Sequence, residues 1–292
     1  MTDTHAFAPG NYRFLPGVFQ YSGGVVADPD YAIERVRFLR PLPLADGFRR
    51  IADHLATAGR PLTALCACEL RSPAPFDEAG FGAFNRQYVD GLSRFGLYDG
   101  RTNPVARSNV CPEVGPPPAP SLHAFSYTIP VSPGAASFVV AGSAEAPEGR
   151  DSYGAHVVAG KDVSPRGIRA KARWVLAEME RRLAALGVGW ADTTATQVYT
   201  VHDIHVLMST ELARRGAIRA GLSWHFCRPP VVGLEYEMDC RGVYLERVLP
   251  TARQATRGKI KKSEDARGGS FSRFLRKRNA GCRTACAVHR GE

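Results

Sequence analysis

The sequence predicts an α+β chain made of two copies of one unit, followed by a basic tail. Three observations carry that prediction. Each half runs through the same order of strand-like and helix-like segments. The glycines that end the two clearest helical stretches, Gly59 and Gly187, stand 128 positions apart, and at that offset Glu69-Leu70 falls on Gln197-Val198 without a gap. Downstream, Gly115-Pro116-Pro117 matches Arg228-Pro229-Pro230, each before a closing strand.

The elements follow in order. Phe19-x-x-x-Gly23 matches Phe138-x-x-x-Gly142, and each is expected in a strand that opens its half. Residues 46–59, DGFRRIADHLATAG, set Phe48, Ile51 and Leu55 at helical spacing and stop on a glycine suited to the position just past a helix. PLTALCACEL, residues 61–70, is apolar and bounded by turn residues, so it reads as a buried strand. Phe81, Phe84, Tyr88 and Leu92 then mark a second helix, with Asp77 as its cap. In the second half, Ser164-Pro165 pairs a capping hydroxyl with a first-turn proline. Ile168, Val175, Met179, Leu183 and Leu186 continue as one stripe, ADTTATQVYT supplies a β-branched strand, and Val206, Leu207 and Leu212 mark a shorter helix. Each half therefore reads strand, strand, helix, strand, helix, strand, strand. The punctuated stretch TIPVSPGAAS, residues 128–137, divides the chain into units 1–133 and 134–250, with a tail at 251–292.

The formal net charge of +10 is unevenly spread. Residues 253–292 hold twelve basic and three acidic side chains, which leaves the first 252 residues at +1. So neutral a body is not expected to coat nucleic acid. The tail, basic and poor in aliphatics, has the composition of a disordered extension and is read as dispensable, with phosphate binding as the alternative. Its Cys282 and Cys286 lack a second ligand pair. No apolar run approaches the roughly 20 residues a membrane-spanning helix needs. The start, MTDTHAFAPGNYRF, has neither the basic nor the apolar region of a signal peptide. Seven cysteines without framework spacing suit a reducing compartment, so the expected location is the cytoplasm.

The helix with F-x-x-x-N-x-x-Y (Phe81, Asn85, Tyr88), the stretch N-P-V-A-R-S-N-V (Asn103 to Val110) and the closing strand LEYEMD (Leu234 to Asp239) together resemble the RidA/YjgF superfamily of imine and enamine deaminases. The resemblance covers approximately residues 17–128 and 136–245, and the duplicated form resembles the aminomuconate deaminases of nitro- and aminoaromatic catabolism. It implies two chorismate-mutase-like units, each a mixed sheet with two helices on one face. It also implies association around threefold axes, giving a homo-oligomer such as a trimer of tandems. The implied reaction converts a 2-aminomuconate-type dicarboxylate enamine to 2-hydroxymuconate, or its oxo tautomer, and ammonia. A C5 substituent such as chloro or carboxyl is left open. A broad 2-imino-acid deaminase and a non-catalytic ligand- or RNA-binding relative are the alternatives.

Such a deamination needs no metal and no organic cofactor. Once the enamine has tautomerised, its carbon is electrophilic, and three groups suffice: a cation for the substrate carboxylate, a base that aims water, and a donor that polarises nitrogen. Arginine suits the first role because its planar fork grips a carboxylate through two parallel hydrogen bonds. Arg107 matches the family's carboxylate-binding arginine, with Ser108 and Asn109 beside it as further substrate-binding candidates. Glu235, six residues past Pro229, matches the water-directing glutamate, and the alternative is a solvent-facing residue sharing a side of the strand with Glu237. The first half offers Ser121-Leu122-His123 there. In the second half Ala220 falls at the arginine position, one residue from Arg219. Each half thus keeps one member of the pair, which predicts a divided site completed within one chain or by a neighbouring one. Trp224 is a candidate aromatic wall for a flat conjugated substrate or, equally, an interface residue. His202 and His205 fall in a turn, Cys66 and Cys68 on a buried strand, and Cys111 beside Arg107. No GxGxxG or P-loop is present, which argues against dehydrogenase or kinase chemistry.

Overall fold

A computed structural model describes residues 4–132, 134, 136–150 and 152–250. The first half runs β1 (His5–Phe7), β2 (Tyr12–Leu15), β3 (Gly24–Ala27), β4 (Tyr31–Pro43), α1 (Leu44–Thr57), β5 (Leu65–Arg71), α2 (Glu78–Ser93), β6 (Ala106–Pro112) and β7 (Ser121–Pro130). The second runs β8 (Phe138–Ala144), the single turn α3 (Tyr153–His156), α4 (Pro165–Ala185), β9 (Ala195–Tyr199) and α5 (His205–Leu207), which continues as the π-helical Met208–Ala213. It closes with β10 (Ser223–His225), β11 (Cys227–Arg228), β12 (Glu237–Gly242) and β13 (Leu245–Leu249).

Local chemistry sets the helix ends where the sequence places them. Asp77 Oδ1 accepts the Gly80 N–H at 2.7 Å and Ser164 Oγ accepts the Gly167 N–H at 3.3 Å. Gly59 and Gly187 take φ of 66° and 76°, the left-handed conformation that ends a helix and that a side chain would resist. Phe48, Ile51 and Leu55 of α1 meet Phe81, Phe84 and Tyr88 of α2 in one core over the sheet. Val175, Met179 and Leu183 of α4 meet Val140, Val198 and Met238 in another.

The strands form two mixed sheets, ordered β1-β2-β3-β8-β12-β9-β10 and β11-β6-β5-β7-β4-β13. Within them the series β6-β5-β7-β4 and β10-β9-β12-β8 are copies: the first pair is parallel and the others antiparallel in both. The 128-residue offset survives in the register, with Glu69 opposite Ser108 and Gln197 opposite Ser223. The second-half counterpart of Arg107 is therefore Leu222, not Ala220, because the stretch from the parallel strand to the following proline pair is shorter in the second half.

Two expectations need correction. Phe19 is 42% exposed in a turn rather than a strand, and the topological counterpart of β8 is β4. The second half also has one opening strand, not two. The edge of β8 that a second strand would fill is taken by β3, with Gly24 opposite Val140, and β13 in return lies parallel beside β4. Hydrogen bonding is the reason: a bare edge strand leaves unpaired N–H and C=O groups, and each sheet borrows a strand to cover one.

A buried ion pair ties the start of β12 to α4. The Glu145 carboxylate accepts the N–H groups of Glu235 (2.6 Å) and Tyr236 (3.0 Å) and Lys171 Nζ at 3.3 Å. Lys171 also donates to the carbonyls of Val158 (2.9 Å) and Gly160 (2.8 Å), and both side chains are wholly buried. Lys171→Ala, which strands the Glu145 charge, is expected to cost about 3–5 kcal/mol of stability, read as a lowered midpoint in urea unfolding.

Candidate active site

The candidate site is a cleft where β6, at one sheet, faces β8 and β12 of the other. Arg107, on β6, is 3% exposed and points at α2, whose face Phe81, Phe84, Asn85 and Tyr88 meets it. Its guanidinium carbon lies over four rings: Tyr21 at 4.7 Å, Tyr88 at 5.1 Å, Phe81 at 5.7 Å and Phe84 at 5.8 Å. The rings hold the cation by their quadrupoles while giving it no counter-charge. Among the described residues Arg107 makes one hydrogen bond, from Nη1 to Asn85 Oδ1 at 2.8 Å. A guanidinium has five N–H donors, so most of its fork is left for a ligand.

Asn109, two residues on and on the same side of the strand, also lines the cleft. Its Oδ1 accepts from Ser72 Oγ at 3.0 Å, and its Nδ2 is buried with no partner among the described residues. A buried orphan donor facing a cleft is one that a bound ligand can satisfy.

Across the cleft stands Glu237, the first residue of β12, 4% exposed. Among the described residues no hydrogen bond reaches its carboxylate. A Cβ at Gly142 would collide with Glu237 Oε1, so the glycine makes the space for the carboxylate. Burial, then the charge of Asp239, push Glu237 well above the usual carboxylate range, against the pull of Arg107. Burial and the neighbouring Asp239 charge thus favour the protonated form of Glu237. Glu148 and Tyr153 complete the polar wall, with the Tyr153 hydroxyl pushed up to about 12 by burial and by Glu148. Ala144, Ala146, Pro230, Val231 and Leu234 form the apolar wall.

The other residues singled out by sequence lie elsewhere. Ser108 points away from the cleft, between the sheets, where its Oγ donates to Asp239 Oδ2 at 2.5 Å, and Asp239 also accepts from Tyr199 (2.9 Å) and Gln197 (2.7 Å). Glu235 lies outside the cleft lining, its carboxylate bonded to His202 Nε2 at 2.8 Å and to Arg228 at 3.3 Å. The physical reason is that β12 begins only at Glu237, while Glu145 holds the preceding turn that carries Glu235. Trp224 is 39% exposed on the edge strand β10, its Nε1 donating to the Thr200 carbonyl at 3.0 Å. His205 pairs with Asp203. Cys66 and Cys68 are buried, Cys68 and Cys111 are each pushed up to about 12 by burial, and neither thiol is a nucleophile. Glu237, Glu148 and Tyr153 line the cleft without having been singled out as candidates by sequence. The strand alternation of LEYEMD contains Glu237, and no motif marks the other two. The basic tail lies outside the described residues.

The family model described as 2-aminomuconate deaminase CnbZ matches residues 4–247. The chain belongs to that family. A curated relative of the family, the 2-amino-5-chloromuconate deaminase of Comamonas testosteroni, is 52% identical over 251 residues, covering 85% of this chain and all of its own. The resemblance to aminomuconate deaminases drawn from the repeat is therefore met, as is the α+β class with mixed sheets. Among solved structures, a YjgF/YER057c/UK114 family member from Mycobacterium tuberculosis is 24% identical and covers 37% of this chain and 79% of its own, with a TM-score of 0.26. The YjgF protein of E. coli is 18% identical over 37% of this chain and 80% of its own, at 0.28. A chorismatase is 14% identical over 76% of this chain and 77% of its own, at 0.37. Among the described residues of this aminomuconate deaminase family member, no helix is long and apolar enough to cross a membrane.

Proposed function

We propose that this chain is a hydrolase acting on a C–N bond, converting a 2-aminomuconate-type dicarboxylate enamine to 2-hydroxymuconate, or its oxo tautomer, and ammonia. The observation that carries the reading is the pairing in one cleft of a ring-boxed arginine, which has no carboxylate partner among the described residues, with a buried glutamate that no cation bonds. Arg107 grips one substrate carboxylate through its open fork, and Asn109 Nδ2 donates to the bound substrate. Glu237 gives its proton to the enamine carbon, which leaves an electrophilic iminium. Water adds at the carbon bearing nitrogen, the C–N bond breaks, and Glu237 regains its proton from the new hydroxyl. A carboxyl whose protonated form is favoured by burial suits the first step because it holds the proton that the enamine carbon takes.

The site is divided within one chain, with β6 of the unit at residues 1–133 supplying Arg107 and β12 of the unit at 134–250 supplying Glu237. The apolar wall offers a surface to a C5 substituent such as the chlorine in the relative's substrate name. Half-exposed Trp224 and exposed Phe226 support a homo-oligomer, a trimer of tandems. The free, buried cysteines among the described residues support work in the cytoplasm. Ammonia release from freshly generated 2-aminomuconate, measured by a coupled dehydrogenase assay, tests the reading. Release well above the spontaneous rate is expected, and none above it overturns the reading. Equal efficiency on monocarboxylate 2-imino acids instead makes the enzyme a broad scavenger.

A further inference from the structure

We propose that Glu148 is a second catalytic carboxylate, the group that takes a proton from the attacking water, and that Arg182 positions it. The proposal rests on the deaminase reading above and adds the base that reading leaves unassigned.

Glu148 stands in the turn after β8 and lines the same cleft as Arg107 and Glu237. Its Oε1 accepts from Arg182 Nη2 at 2.7 Å, while its Oε2 makes no hydrogen bond among the described residues. Arg182 is 2% exposed near the C-terminal end of α4. Its Nε donates to Glu178 Oε1 at 2.7 Å, and its Nη1 lies 3.4 Å from the carbonyls of both Gly23 and Ala141. Four contacts from α4, β8, the start of β3 and the cleft turn thus fix one guanidinium. A buried ion pair contributes little net stability over well-packed apolar residues. What this one does supply is a carboxylate held at a fixed place on the cleft wall.

Two carboxylates in one cleft with unlike surroundings divide the work of acid and base. Among the described residues Glu237 has no cation bonded to it, which with burial favours its protonated form, whereas Glu148 is ion-paired. The groups that face Glu148 are Arg181, Arg182 and Glu178 from α4, Tyr153 from α3, Tyr21 from the turn before β3, Arg107 from β6 and Glu237 from β12. The protons balance through the cycle. Glu237 protonates the substrate carbon. Water oxygen bonds to the iminium carbon as Glu148 takes one of its protons. Glu148 passes that proton to nitrogen, ammonia leaves with the electron pair of the C–N bond, and the hydroxyl proton returns to Glu237.

The two steps can be read separately in D₂O. Carbon protonation by Glu237 and its reversal wash deuterium into recovered substrate, seen by mass spectrometry, whereas ammonia release needs the water step as well. Glu148→Gln is expected to lower ammonia release roughly 10²–10⁴-fold while deuterium still enters the substrate above the spontaneous rate. Glu148→Asp, which keeps the charge beside Arg182 and withdraws the oxygens by one methylene, should show the same selective loss to a smaller degree, and it decides the matter if the glutamine variant does not fold. Unchanged ammonia release, or deuterium entry and ammonia release falling together, overturns the proposal. Wild-type enzyme that releases no ammonia overturns the deaminase reading instead. Arg182→Lys should lower release in the wild-type background and add nothing to Glu148→Gln. An equal drop in both backgrounds removes the positioning role.

Discussion

Arg107→Lys should cost this enzyme most of its efficiency on a dicarboxylate substrate. Lysine keeps the positive charge but loses the planar fork, and it cannot sit flat among Tyr21, Phe81, Phe84 and Tyr88 as a guanidinium does. Truncating one side of a buried, hydrogen-bonded charge pair costs about 2–5 kcal/mol, equivalent to roughly 30- to 5,000-fold in kcat/KM. Arg107→Ala should lie at the far end of that range and Arg107→Lys nearer the middle. The loss should be largest in KM if the clamp only binds, and shared with kcat if it also sets the angle at which water meets the carbon. Steady-state ammonia release across substrate concentration separates the two. Kinetics equal to wild type for Arg107→Ala would remove Arg107 from the site.

Glu237→Gln is the second large effect, and it has opposite signs for activity and stability. Activity should fall roughly 10²–10⁴-fold, because an amide has no acidic proton for the enamine carbon. In the wild type, kcat/KM should decline as pH rises through the elevated Glu237 value, and the glutamine variant should lack that limb. Stability runs by linkage. The folded-state value of Glu237 is raised, so its contribution is complete below the ordinary carboxyl range and is lost as pH climbs through the folded value. Glutamine carries no such loss. Thermal melts of the two proteins should therefore diverge as pH increases, with the inactive variant melting higher. A wild type that keeps its margin over Glu237→Gln at alkaline pH would show that the carboxyl is not held neutral.

How much of this was legible in the sequence depended on how local each cause is. The caps at Asp77 and Ser164 and the terminating glycines act within one turn, and the sequence placed them correctly. The repeat was legible for the same reason. The strand exchange was not, because the pairing of Gly24 with Val140 depends on two edges meeting in space rather than on anything near residue 24. In the candidate site, the motif around Arg107 led to a side chain that lines the cleft, and the F-x-x-x-N-x-x-Y face of α2 packs around it, with Asn85 as its hydrogen-bond partner. Glu235 lies outside the cleft lining because a turn pinned by Glu145 precedes β12, and Glu237, one alternation on, lines the cleft instead. Glu148 had no signal at all: its partner Arg182 is 34 positions away and looks, in sequence, like one more helix-surface arginine.

The parallel pairing of β13 with β4 bears on how the chain is made. Arg35 reaches Glu246 across 211 positions, and Arg247 pairs with Glu34 in the same stretch. During synthesis at about 5–20 residues per second, β4 waits roughly 10–40 s for its last neighbour to leave the ribosome. Through that interval its open edge is guarded by its own charges, Glu34, Arg35 and Arg37, which discourage pairing with another nascent chain until the opposite charges of β13 arrive.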